Sequence, residues 1–385
     1  MQEKSPAQGD GGTSTEGWSV DVADGNADDE RNLARSKPLD QHHKRHREKL
    51  TVILGVIAIL VSVWVYSTIT GPIDISSTEF LSVLFGQERG MEYQVVWNIR
   101  LPRIVAAVGA GAGLAVAGTV LQSVLRNPLA SPYTLGISQG AAFGAAFSIV
   151  VLGTGTTSGS GPILSVVDPY LTSVLAFVGA LTSTGAIYLV AKYKRATPET
   201  LILTGIALAS LFTAGTTSLE YFATNTELAA LVYWKFGDVS GATWQFNSLL
   251  WIVVILVTGY FTRRAWAYTV LNAGDETARS LGVPVQRTRL AGMVFASFVT
   301  AVVVAMFGII GFVGLVVPHI MRRVIGGEER TLIPASTVAG GALLLSADTI
   351  ARTIISPIVL PVGIVTSFVG VPLFLYLILR GREYW

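Results

Sequence analysis

Apolar residues gather along this chain into runs long enough to cross a bilayer, separated by short polar joints that carry most of the charge. A hydrocarbon core of about 30 Å takes about 20 mostly apolar residues as a helix. Runs of that kind lie at Leu50–Ile69, Ile104–Leu125, Leu135–Leu152, Leu171–Ala191, Leu201–Phe222, Ser248–Phe261, Leu290–Phe307, Ile309–Ile325, Leu332–Ile355 and Val362–Leu379. The fold class they predict is all-α, a polytopic membrane protein with ten transmembrane helices. The stretch Ala291 to Val324 is almost unbroken, and Gly308, Gly311 and Gly314 predict the turn that divides it. In the second run Gly109, Gly111, Gly113 and Gly118, with Ala106, Ala110 and Ala117 between them, predict close approach of neighbouring helices.

The joints alternate in charge. If the N-terminus is cytoplasmic, the joints on that side hold Lys44, Arg45, Arg47, Lys49, Arg126, Lys192, Lys194, Arg195, Arg263, Arg264, Arg279, Arg287, Arg289, Arg322, Arg323, Arg330, Arg380 and Arg382. The opposite joints keep Arg89, Arg100, Arg103, Lys235 and Arg352. This obeys the positive-inside rule with ten spans and both termini cytoplasmic, whereas an odd span count would put half the chain in violation. Residues 1–48 stand apart, with Gly, Ser, Asp and Glu dominating up to Glu30 and His42-His43-Lys44-Arg45-His46-Arg47 following. Such a segment buries too little apolar surface to offset its ordering entropy, so 1–48 is expected to be a disordered hydrophilic cytoplasmic tail and 49–385 the membrane domain. The first apolar run begins too far from the N-terminus for a signal peptide, so the tail is expected to stay attached.

Composition agrees with the pattern: 51% of the 385 residues are apolar and 14% charged, far from the ordinary soluble balance. With no cysteine, disulfides, thiolate metal sites and cysteine nucleophiles are excluded. Ion-coupled transporters place ionisable groups at mid-membrane depth, and the runs here offer only Glu220, His319, and Asp348 with Arg352 one turn further on, a spacing that lets the last two neutralise each other. His319 with Arg322 and Arg323 is too thin a cluster for a catalytic site, and its bland role is packing or capping beside Pro318. No G-x-x-x-x-G-K-[ST] phosphate loop is present. Energy for transport is therefore expected from another subunit, with no cofactor and no metal bound by this chain.

The longest inner joint, residues 262–289, has helix signals of its own. Asp275 and Glu276 suit a first turn, Arg279 a last turn and Gly282 the stop, so a compact helical hairpin is predicted outside the membrane. A joint of that size with its own helices is uncommon unless it has a task.

Several stretches resemble a known family: Arg100-Leu101-Pro102-Arg103; Gly118-Thr119-Val120-Leu121-Gln122 leading to Arg126-Asn127-Pro128-Leu129-Ala130-Ser131-Pro132; Leu135-Gly136-Ile137-Ser138-Gln139-Gly140-Ala141; Trp234-Lys235-Phe236-Gly237; Ala278-Arg279-Ser280-Leu281-Gly282; Gly308-Ile309-Ile310-Gly311-Phe312-Val313-Gly314-Leu315-Val316-Val317-Pro318-His319; Ala347-Asp348; Ala351-Arg352; and Leu360-Pro361-Val362-Gly363. In this order they resemble the permeases of binding-protein-dependent ABC importers for cobalamin, haem and ferric siderophores, over almost everything after the tail. The resemblance implies ten helices per subunit, a homodimer with the pathway along its axis, two ATP-binding subunits on the cytoplasmic side and an extracytoplasmic substrate-binding protein. It implies ATPase coupling by Gly274, Asp275, Glu276, Ala278, Arg279, Leu281 and Gly282, and cytoplasmic gates at Asn127, Pro128 and Leu129 and at Thr197, Pro198, Glu199 and Thr200. It implies that Arg100, Arg103 and Arg352 dock the binding protein, against the bland reading of snorkelling or, for Arg352, pairing with Asp348. One departure is Val359 before Leu360-Pro361, where family members commonly carry Glu.

The function expected is thus a non-catalytic permease subunit of an ABC importer in the cell membrane, with ATP used by a partner. Few charges on the pathway suit a bulky chelate rather than a bare ion. Cobalamin is the expected cargo on family resemblance, with ferric siderophore or haem as alternatives, and an ion-coupled secondary transporter is the rival class.

Overall fold

The computed structural model describes residues 24–71, 82–83, 90–154, 168–193 and 197–380, with side chains from Arg47 onward except at 377, 378 and 380. The chain divides into two units, Met1–Glu48 and Lys49–Trp385. Among the described residues every regular element is a helix. In order these are α1 (Asp24–Ile69), α2 (Met91–Val124), α3 (Ile137–Val151), α4 (Pro169–Tyr193), α5 (Pro198–Phe222), α6 (Asn225–Lys235), α7 (Trp244–Arg263), α8 (Ala265–Asn272), α9 (Asp275–Ser280), α10 (Val285–Phe307), α11 (Val313–Ile325), α12 (Glu329–Thr353) and α13 (Val362–Arg380). Of the expected tail, residues 1–23 lie outside the described residues and the backbone is helical from Asp24.

Seven of the described helices are long and apolar enough to cross a membrane: the Arg47–Ile69 part of α1, then α2, α4, α5, α7, α10 and α12. Three apolar runs form shorter helices, α3, α11 and the Val362–Tyr376 part of α13. Helix starts follow local chemistry. Thr197 accepts a hydrogen bond from the Thr200 amide at the head of α5, Thr243 accepts one from Phe246 at the head of α7, and Thr224 with Glu227 forms a reciprocal capping box on α6.

The central element is α2, which packs against α7, α10, α11 and α12, while α3 packs against α4 and α5. A helix apolar all round has to be buried all round, and nearly every residue of α2 from Pro102 to Val124 is. Close approach rests on glycine facing glycine: a Cβ on Gly118 would overlap the Gly314 carbonyl of α11, and one on Gly111 would overlap the Gly340 carbonyl of α12. Dispersion between backbones is what holds such helices together in lipid, where burial itself adds little.

The division between α10 and α11 falls where the glycines predict it, with Gly308 at φ 71° ending α10 and Phe312 at φ 66° opening α11. The non-helical backbone there is sewn to two other joints. The Asp238 amide donates to the Phe307 carbonyl at 2.8 Å, and the Gly363 amide donates to the Gly237 carbonyl at 3.1 Å. Irregular backbone within a membrane bundle is tolerated where it is paired and lines a cavity.

Candidate functional site

Three family-like stretches far apart in sequence, 234–237, 308–319 and 360–363, meet at this backbone seam. Beside it a groove of about 1020 Å³ opens along α13. Aromatic rings line much of it, from Tyr133, Phe236, Phe312, Phe368 and Phe374, with Leu129 and Leu315 among the apolar contributors and Ser131, Thr134 and Ser367 among the polar ones. Its one charged lining side chain is Lys235, whose Nζ lies 2.9 Å from Glu220 Oε1. Phe312 reaches the groove from a left-handed backbone conformation that costs a non-glycine residue about 1–3 kcal/mol. Its ring is seated against Gly370 of α13, where a Cβ would strike it.

Beyond the seam, at the end of the bundle where α1 finishes, a buried charge cluster gathers the three expected docking arginines. Arg103 Nε donates to Asp348 Oδ1 at 2.8 Å and Arg103 Nη2 lies 3.6 Å from Asp238 Oδ1. Arg352 Nε donates to Asp348 Oδ2 at 3.1 Å, the i, i+4 pair expected from sequence. Arg100 Nη1 donates to the Thr68 and Ile69 carbonyls at 2.8 and 2.9 Å, and Arg352 Nη1 donates to the Thr70 carbonyl at 3.2 Å. These are the unsatisfied carbonyls at the C-terminus of α1, the negative end of its dipole. All three arginines are buried, at 3–7% exposure, so in this conformation their guanidinium groups are engaged inside the chain. The run Leu101–Arg103 is accordingly helical, and α2 begins at Met91 rather than near Ile104, because buried partners let the helix continue through its charges. Nearby, the Tyr233 hydroxyl donates to Asp238 Oδ2 at 3.2 Å, and burial beside that carboxylate pushes its phenol up.

The opposite end carries the predicted hairpin, formed by α8 and α9. Gly274 at φ 116° turns the chain between them and Gly282 at φ 78° stops α9, both conformations that favour glycine. Ala278 is buried, while Glu276, Arg279, Leu281 and Gly282 face outward, Leu281 with 54% of its surface exposed. Asp275 points back into the bundle, its Oδ1 accepting from Arg289 Nη2 at 2.8 Å and lying 3.8 Å from Arg126 Nη1. Burial also pushes the Tyr268 phenol of α8 well above its ordinary range, and its hydroxyl has no hydrogen-bond partner among the described residues.

Of the two expected gate segments, Asn127–Leu129 borders the groove through Leu129, in a turn where Asn127 Oδ1 accepts from the Leu129 amide at 2.9 Å. Thr197, Pro198, Glu199 and Thr200 form the capped start of α5 and are not among the groove's lining residues. Sequence reading gave no site role to Arg289 and Glu329, both buried by the fold. Arg289 was counted only as a basic flank. Glu329 is the N-terminal residue of α12 and fully enclosed, and its place after Gly326-Gly327 signals nothing more than a helix start.

Helices of this length and hydropathy carry the chain across a membrane several times, which defines a multi-pass membrane protein. The chain belongs to the FecCD transport family, whose model matches residues 58–380. A chain named as an ABC transporter permease, from Methanocaldococcus jannaschii, is 49% identical over 345 residues, covering 89% of this chain and 98% of the relative. The cobalamin import system permease of Halobacterium salinarum is 41% identical over 293 residues, 75% of this chain and 74% of the relative. Other relatives are named as haemin and iron(3+)-hydroxamate permeases. A solved structure of an inward-facing ABC transporter assigned to the metal-chelate type superposes with a TM-score of 0.74 at 27% identity, covering 86% of this chain and 99% of that one. The chain is therefore an ABC importer permease, a multi-pass protein of the cell membrane. Family membership sets aside the ion-coupled reading.

Proposed function

We propose that this permease imports cobalamin as one of two identical subunits, with two ATP-binding subunits on the cytoplasmic side and a substrate-binding protein outside. The observation that carries the cargo class is the groove of about 1020 Å³, rimmed by aromatic rings and holding one lysine already paired with Glu220. Such a surface suits a large solute with shielded charge and offers little to a bare ion. Cobalamin is favoured among such solutes by the relatives named for it in Halobacterium salinarum and Vibrio cholerae. The metal-chelate neighbour and the haemin and hydroxamate relatives support a second reading, a ferric chelate or haem.

In this reading α3, α11 and α13 join the seven longer helices as membrane spans, which makes ten and puts both termini in the cytoplasm. The hairpin around Gly274, Asp275, Glu276, Ala278, Arg279, Leu281 and Gly282 is the ATPase contact, supported by its outward apolar Leu281 and by Asp275 anchored behind it. Asn127, Pro128 and Leu129 gate the groove from the cytoplasmic side, together with Thr197, Pro198, Glu199 and Thr200. For the binding protein, the geometry supports an indirect part for Arg100, Arg103 and Arg352, which hold the outer end in shape from within.

Uptake into proteoliposomes containing the permease, its ATPase and its binding protein tests the cargo, with labelled cobalamin, a ferric hydroxamate and haem offered in parallel. Saturable, ATP-dependent uptake of cobalamin alone is expected. Uptake of either iron compound in its place overturns the cobalamin assignment.

A further inference from the structure

The hairpin is fastened to the bundle by two buried charged side chains, and both fasten it to the same place. Arg289, 1% exposed, donates from Nη2 to Asp275 of α9 and from Nε to the Val124 carbonyl at 2.9 Å. Glu329, with no exposed surface, gathers three donors on Oε1: Ser123 Oγ at 2.6 Å, Arg322 Nη1 at 3.0 Å and Asn272 Nδ2 at 3.1 Å. Its amide donates to Thr269 Oγ1 at 3.1 Å. Asn272 and Thr269 belong to α8, Arg322 to α11, and Ser123 and Val124 form the last turn of α2.

That last turn carries the groove's inner lip. The Arg126 amide donates to the Ser123 carbonyl at 3.3 Å, the Asn127 amide to the Gln122 carbonyl at 3.0 Å, and the Ala130 amide to the Asn127 carbonyl at 3.0 Å. Leu129 stands on this turn and lines the groove. A continuous path of hydrogen bonds thus runs from α8 and α9 through Glu329 and Arg289 to the end of α2 and on to Leu129. Such contacts among buried charged groups are the strong ones, and leaving one partner unpaired is costly, so the pieces they join tend to move together.

We propose that Glu329 is the positioning residue that locks the α8–α9 hairpin to the end of α2, so that a displacement of the hairpin is delivered to the Leu129 turn. The inference rests on the importer reading for its consequence, the coupling of ATP hydrolysis to transport, but not for the lock itself. Arg289 supplies the second point of attachment, which keeps the hairpin from pivoting about the first.

The absence of native cysteine makes the lock measurable. Nitroxides at Leu129→Cys and Ser280→Cys in the purified permease report the distance between gate turn and hairpin by electron paramagnetic resonance. In the otherwise unaltered chain the distance within one subunit, isolated by diluting labelled with unlabelled protein, is expected to be narrow, and Glu329→Gln, which removes the charge at nearly constant shape, is expected to broaden it. In the assembled transporter the same variant is expected to keep ATP hydrolysis while substrate moved per ATP falls at least about fivefold, the lower range of energetic coupling between sites. Glu329→Asp, which keeps the charge, is expected to recover part of that ratio.

A folded Glu329→Gln permease with an unchanged distance distribution overturns the lock. A broadened distribution with transport per ATP unchanged overturns the transmission, and so does a loss of transport and hydrolysis in parallel with thermal stability, which marks a merely structural residue. If Glu329→Gln does not fold, Ser123→Ala removes one bond to the same carboxylate and is judged by the same outcomes. Failure to assemble with any ATPase overturns the importer reading, and the distance measurement on the permease alone then decides the lock.

Discussion

Arg103 and Arg352 share one carboxylate, reaching Asp348 from different helices, Arg103 Nε at 2.8 Å from Oδ1 and Arg352 Nε at 3.1 Å from Oδ2. Since Arg352 also binds the Thr70 carbonyl, this single acid ties the ends of α1, α2 and α12 together. Its removal leaves Arg352 without a carboxylate and Arg103 with only Asp238, 3.6 Å away, so Asp348→Asn is expected to destabilise the permease by about 3–5 kcal/mol. Thermal unfolding of the purified protein in detergent checks this. Arg103→Glu is expected to lower stability in the isolated permease too, before any binding protein is added. A normal unfolding temperature with docking alone impaired points instead to a direct contact.

Gly118 faces the Gly314 carbonyl with no room for a Cβ, and backbone cannot swing aside as a side chain can. Gly118→Val is expected to abolish folded protein, read as the loss of a monodisperse peak on gel filtration. Gly259 of α7, with no atom within 4 Å of its would-be Cβ, supplies the control, and Gly259→Ala is expected to leave the peak unchanged.

Tyr268 titrates in the unfolded chain near the ordinary value of about 10 and in the folded chain well above it. A raised folded pKa contributes stability that is complete below pH about 10 and drains away as pH rises through the folded value. Tyr268→Phe removes that drain and gives up no hydrogen bond to a described residue. Its unfolding temperature is expected to match or exceed the parent's at pH 8 and to fall less steeply above pH 10, in parallel melts.

Leu281 offers a cleaner probe of the proposed ATPase contact than Gly282, because Gly282 sits at φ 78° and any side chain there strains the backbone as well. Leu281→Asp is expected to leave the isolated permease folded, since the side chain is half exposed, and to reduce co-purification with the ATP-binding subunit. Undiminished co-purification removes Leu281 from that contact.

Hydropathy made the long helices legible to within a few residues, and glycine made the break at 308 and the helix stop at 282 legible as well. The start of α2 was misplaced because Arg100 and Arg103 read as a boundary, and only tertiary partners allow a helix to continue through them. The short helix α6 went unseen because it is too short to raise a hydropathy signal, although Thr224 and Glu227 spell its capping box. The arginine cluster was half visible, since the i, i+4 spacing announces Asp348 with Arg352 and nothing local announces Arg103 across 245 positions. Glu329 and Arg289 were invisible as a pair of anchors for the same reason. Their partners come from four helices, and charge patterning along the chain records only which side of the membrane a residue favours.

The seam beside the groove is closed by main-chain groups, with Gly237, Gly308 and Gly363 each pressed against a carbonyl of a neighbouring joint. Main-chain bonds are blind to the identity of the side chains projecting from them. The rings and hydroxyls that line the groove can therefore be exchanged one at a time while the joint that holds their backbones persists. Substitutions at positions such as Phe236, Phe368 and Ser367 are thus expected to reshape the groove lining without unfolding the chain.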